Sequence, residues 1–158
     1  MTVLEIFKVI EDSSAGAALR DSYWLFPAVE SIHLLGLAVI GGAVLLVDLR
    51  MMGYGLTGTP LAEVAKDTKP YLFWSLITML VTGFFLFASE ATKCYAHGAF
   101  WFKMACLFLA IVFTWTIQAK IVAAKEEATS PRTRKLVAIV SLLLWTGVGI
   151  GGRWIGFS

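Results

Sequence analysis

Four apolar stretches, at residues 24–49, 71–90, 100–120 and 136–155, dictate what this chain can become. Each meets or exceeds the ~20 residues a helix needs to cross the hydrocarbon core of a bilayer. Backbone groups inside that core must be satisfied within their own segment, which selects helices. Short links between successive spans make neighbours antiparallel. The expectation is an all-α integral membrane protein, a four-transmembrane-helix up-down bundle forming one domain over residues 1–158. A chain that is 58% hydrophobic and 15% charged, with a mean hydropathy of +0.78, is too apolar for an ordinary soluble domain, so the lipid bilayer is its first partner. The net charge of +2 is slight, and the basic residues lie mostly in two loops, which excludes nucleic-acid binding.

Ahead of the first span, residues 2–19 set Val3, Leu4, Ile6, Phe7, Val9 and Ile10 against Glu5, Lys8, Glu11 and Asp12 at helical spacing. This predicts an N-terminal amphipathic helix, lying in the interface or packed on the bundle, with a break near Ser13-Ser14 and Gly16. The start of the chain lacks the pattern of a cleaved signal peptide, so the first span is expected to direct insertion. Tyr23-Trp24 marks the interface, and Pro27 suits a first helical turn. Residues 51–70, with Gly53, Gly55, Gly58 and Pro60, read as a loop holding one helical turn around Leu61 to Asp67.

The flanking charges give an orientation. The first and third loops carry Arg50, Lys66, Lys69, Lys120, Lys125, Arg132, Arg134 and Lys135, eight in all, against four on the other side, Lys8, Arg20, Lys93 and Arg153, leaving out the intramembrane Lys103. The positive-inside rule then places both termini outside the cytoplasm, which in a bacterial inner membrane is the periplasm.

Glu30-Ser31-Ile32-His33 puts a carboxylate and an imidazole three residues apart inside the first span. An ionisable group at such depth is costly and is a functional-site hypothesis by default. Antiparallel connectivity returns Glu90, Lys103 and Arg153 to the same end, and the connector adds Lys93, Cys94 and His97. One composite polar site on the periplasmic side is expected, with His33 and Lys103 as its leading pair.

Three chemistries could use it. Haem b would take His33 as an axial ligand, with or without His97, and pair its propionates with Arg153, Lys103 or Lys93. Gly36, one turn beyond His33, offers a small face for a flat group or a neighbouring helix. Copper, zinc or another transition metal would draw on His33, His97, Glu30, Glu90 and Cys94. Proton transfer or small-ligand recognition would use Glu30, His33 and Lys103 as a relay. A purely structural arrangement would instead pair Glu30 or Glu90 with Lys103 or Arg153 and bond His33 to a serine or a carbonyl.

Other features have plainer readings. Cys94 and Cys106 on one helix would stand roughly 18 Å apart, too far for a disulfide. Asp48-Leu49-Arg50 reads as an interfacial helix end or salt bridge. The glycines from Gly147 to Gly152 let the last span pack closely or unwind near Arg153. No phosphate-binding loop, nucleophile elbow, CxxC or c-type haem signature occurs.

The run from His33-Leu-Leu-Gly to Val-Asp48-Leu-Arg50, followed by Phe100-Trp-Phe-Lys103-Met, resembles the small bacterial membrane proteins grouped around the copper-resistance D domain. It is also similar to the membrane-type protoporphyrinogen oxidase family of haem biosynthesis. The resemblance implies a four-helix fold with a haem or copper site. In the oxidase family an early-helix His, an Arg closing that helix and a Lys opening a later one matter for function, and haem b is bound; the matching positions are His33, Arg50 and Lys103. The expected function is redox or electron transfer on haem b, with metal transport or a non-catalytic place in a membrane complex as alternatives. Small and aromatic residues on several helix faces suggest a homo-oligomer or such a complex.

Overall fold

The computed structural model describes residues 2–156, and within them the chain is helical with no strand. Four helices have the length and apolarity of membrane spans, which makes this a multi-pass membrane protein. They are α3 (Leu25–Met52), α4 (Leu61–Ser89), the run Gly98–Ala123, and α8 (Pro131–Gly156). The third span is composite: α6 (Gly98–Phe113), a π-helical turn at Thr114–Gln118, then α7 (Ala119–Ala123).

The N-terminal segment is two helices rather than one, α1 (Val3–Glu11) and α2 (Ser14–Asp21), hinged at Asp12-Ser13. Thr2 and Glu5 form a capping box at the head of α1, and Ser13 caps α2 through the Gly16 N–H. Both helices pack on the bundle. Phe7 inserts its ring among Phe87, Tyr95, Phe100 and Trp101, with centroids 5.1 to 6.3 Å away. Gly16 lies so close to α4 that a Cβ there would stand 2.6 Å from the Ala88 carbonyl oxygen.

The short helix α5 (Ala91–Ala96) links the second and third spans. Its first turn is capped by Glu11 of α1, whose carboxylate accepts from the Thr92 N–H at 2.6 Å and from the Thr92 hydroxyl. These two bonds hold the Glu11 carboxyl below its ordinary value of 4.5, aided by Arg20.

The loop read over residues 51–70 is shorter than expected, because α4 begins at Leu61 and runs through Pro70. Pro70 leaves the helix unbroken, and Thr68, two residues earlier, back-bonds to the Val64 and Ala65 carbonyls. The real link turns at Gly53, whose φ of +84° lets its N–H and that of Tyr54 reach back to Arg50 and Leu49.

At this far end of the bundle Glu126 ties three helices together. One oxygen accepts from Arg50 and from the Leu61 N–H, each at 2.8 Å, and the other accepts from Arg134 at 3.1 Å. The Leu61 N–H and the two guanidinium groups keep the Glu126 carboxyl below the usual carboxylate range. Arg50 therefore makes the salt bridge expected of a helix end. Asp48 does not share that interfacial position: it is buried completely in the core beside Val47, Met51, Val137 and Ala138.

Packing places α3 against α4 and α8, and α6 against α8, while α4 meets the third span chiefly through α7. The middle of the core is Ile40, Val44 and Leu76, flanked by Leu107, Ile111 and Trp145. Toward α5, the spacing between the helices is set by glycines and by the aromatic cluster around Phe7.

Candidate functional site

Span two carries hydroxyls at Ser75, Thr78 and Thr82, spaced three and four residues apart on one face. Each satisfies itself by donating to the carbonyl four residues earlier, as a hydroxyl in an apolar helix must. Thr82 thereby spends its hydrogen on the Thr78 carbonyl at 2.6 Å. Its oxygen keeps an accepting lone pair, and His33 Nδ1 stands 2.8 Å from it. With the Thr82 hydrogen already used, Nδ1 must be the donor. The imidazole of His33 is therefore the Nδ1–H tautomer, and Nε2 carries the lone pair.

Gly83 makes room for this ring. A Cβ at that position would come within 3.2 Å of His33 Cε1, so glycine lets the imidazole lie against the backbone of α4. Among the described residues Nε2 has no hydrogen-bond partner. The ring is half-buried and its Nδ1 edge is fixed.

Lys103 is held from the opposite side of the bundle. Its stem lies over α8, where a Cβ on Gly151 would be 3.0 Å from Lys103 Cβ and one on Gly152 3.4 Å from Nζ. The glycines at the end of the last span thus serve close packing, and the helix stays wound to Gly156. A long aliphatic stem lying on glycine lets a half-buried ammonium sit in an apolar wall. Lys103 is within charge–charge range of His33 and of Cys94. The leading pair expected from the sequence is thus brought into one region.

The remaining expected residues divide. Cys94 is buried in α5, and burial, with the Glu90 carboxylate adding to it, pushes the thiol above its ordinary value of 9.0. In the metal-free protein it is a protonated thiol at neutral pH. Cys106 is free as well, packed at Gly147, where a Cβ would lie 3.0 Å from its sulfur. Glu30 is exposed on α3 and is not among the charges acting on His33. Glu90 is exposed and lies 3.7 Å from Lys93. His97 heads α6, its carbonyl accepting from the Phe100 N–H. Arg153 lies exposed in the last turn of α8. Gly36 is used in packing, since a Cβ there would meet Met79 Cγ at 3.3 Å.

Among the described residues, no three His, Cys, Asp or Glu side chains stand where they could hold one metal ion. His33, His97, Glu30, Glu90 and Cys94 share one end of the bundle without forming such a group. Thr82 and Gly83 are the participants that sequence reasoning missed. The three- and four-residue spacing of hydroxyls along span two was the available signal.

The arrangement offers one oriented imidazole with a lone pair on Nε2 and a nearby ammonium. It can ligate a metal centre from one side, or accept a proton at Nε2, beside a group that attracts an anion. No curated protein and no solved structure matches this chain. A family model does match it, over residues 15–158, which takes in all four spans and every residue of the site, and on that match the chain belongs to the family of unknown function DUF6644.

Proposed function

We propose that the α5 end of the bundle is a cofactor site facing the periplasm of a bacterial inner membrane, that its cofactor is haem b, and that the protein serves electron transfer. The observation that carries this reading is the 2.8 Å contact of His33 Nδ1 with Thr82 Oγ1, whose own hydrogen goes to the Thr78 carbonyl. Ligation of haem iron through Nε2 wants a partner on Nδ1–H that orients the ring and raises its basicity, and Thr82 Oγ1 at 2.8 Å is such a partner.

The donor set fits the group. His33 would hold the iron, and Lys103 and Arg153 would supply the positive charge that propionates require. His97, the chain's second histidine, is at the same end. Haem supplies one-electron redox chemistry when bound. The chain's own part is to orient one imidazole and hold an ammonium in an apolar wall. The same geometry favours haem over a copper or zinc site, because among the described residues no three candidate ligands stand together.

The test is the absorption spectrum of detergent-solubilised protein expressed with haem supply, air-oxidised and then reduced. A Soret band that is lost in His33→Ala is expected. Protein with no Soret band that co-purifies with a membrane partner would instead make it a non-catalytic subunit.

A further inference from the structure

At the Glu126 end, Asp48 is 0% exposed and is surrounded by three elements: α3 itself, the π-helical turn and α8. Its polar neighbours are as deeply buried, Gln118 at 5% and Ser141 at 1%. A hydrogen-bond account of this cluster does not close for a carboxylate. Gln118 Nε2 donates to Asp48 Oδ1 at 2.8 Å and turns toward Met51 Sδ at 3.9 Å. Three atoms then remain without a partner: Asp48 Oδ2, Gln118 Oε1 and Ser141 Oγ. All are oxygens, and with Asp48 ionised the Ser141 hydroxyl holds the one hydrogen they could share. That hydrogen can serve one acceptor, so at least one further buried acceptor would be orphaned.

The charge would be uncompensated too. Among the described residues no cation pairs with Asp48. On α3, Arg50 is committed to Glu126 and the Thr59 carbonyl; on α8, Arg134 binds Glu126 through Nη1, its buried Nε having no partner among the described residues, and Arg132 and Lys135 are exposed. Lys120 of α7 is exposed, as are Glu63, Lys66, Asp67 and Lys69 of α4. An unpaired carboxylate in such a place is among the costliest groups a helix bundle can hold.

We propose that Asp48 is a proton-binding site, its Oδ2 carrying a proton that it donates to Gln118 Oε1 or Ser141 Oγ, so that a neutral acid joins spans one, three and four and its ionisation loosens them. One proton removes the charge and supplies the missing donor. Three side-chain oxygens among wound helices would leave a metal cation under-coordinated. The π-helical turn supports the assignment, because it ends on Gln118, which donates to Asp48 from the third span, and such turns often mark functional positions. Asp48 lies five residues before the Gly53 turn, roughly 7 Å along the helix from its end, so a modest parting of the helix ends would let a proton through.

Infrared difference spectroscopy on the detergent-solubilised protein tests this. At neutral pH a protonated-carboxyl C=O band is expected, shifting in D2O, absent in Asp48→Asn and unchanged when sodium chloride replaces choline chloride. Because Asn mimics the neutral acid, Asp48→Asn is expected to fold and to lose the fall in thermal stability expected of the native protein as pH rises from the ordinary carboxylate range through the value at which folded Asp48 ionises. Absence of the band at neutral pH, its loss on adding sodium, or the same fall in stability with rising pH in Asp48→Asn would each overturn the proposal.

Discussion

Thr82 Oγ1 accepts from His33 Nδ1 while donating to the Thr78 carbonyl, at 2.8 and 2.6 Å, and this two-bond chain decides which nitrogen of the only histidine within a span is available. In ¹⁵N spectra of histidine-labelled protein without cofactor, one imidazole is expected to show a protonated Nδ1 and a pyridine-like Nε2. Thr82→Val removes the acceptor and should mix the tautomers. Any ligand bound at Nε2 should then weaken by about 10–100-fold, the usual range for losing such an outer-shell partner. A fixed Nε2–H tautomer in the native protein would contradict the hydrogen-bond assignment.

Gly16→Ala probes how the N-terminal helices are held. A Cβ there would lie 2.5 Å from the Glu11 carbonyl oxygen and 2.6 Å from that of Ala88, and neither is a flexible side-chain end. The substitution is expected to lift α2 from α4 and cost about 1–3 kcal/mol. Limited proteolysis should then cut near Asp12-Ser13 faster than in the native protein. Unchanged cleavage would mean that the Phe7 cluster and the Glu11–Thr92 bonds hold α1 and α2 without the close approach at Gly16.

Glu126 gives the opposite end a pH dependence of known sign. Its carboxyl is held below the ordinary value of 4.5, so its contribution to stability is complete above that value and is lost as pH falls through the lower folded one. Glu126→Gln is expected to cost about 1–2 kcal/mol at neutral pH, allowing for partial exposure of the pair. It should also flatten the acid limb of a thermal-unfolding series in detergent. Retention of a native acid limb in Glu126→Gln would show that another carboxyl sets it.

The fold was legible because hydropathy over about twenty residues reports span number directly, and glycine and interfacial aromatics report ends. Pro70 misled, because it stands inside a long helix rather than at its start, so α4 begins ten residues before the expected Tyr71. At the site, topology alone was enough to place His33 and Lys103 at one end. It could not say that Glu30 would stay exposed, since three-residue spacing fixes a helix face but not which part of that face meets a neighbour. Asp48 was the opposite case. Its place near Arg50 in sequence suggested a surface pair, whereas two residues of helical rotation, about 200°, separate a guanidinium at the helix end from a carboxyl in the core. Gln118 and Ser141 lie 70 and 93 residues further along and meet it only once the bundle has formed.

Haem titration into purified, cofactor-free protein measures the account's central claim, that His33 Nε2 is the donor atom of a haem site. The native protein is expected to develop a Soret band that saturates at one haem per chain, with Lys103→Met binding more weakly and His33→Ala giving no saturable band. A native protein that yields no saturable band, or a His33→Ala protein that binds haem as the native one does, would contradict it.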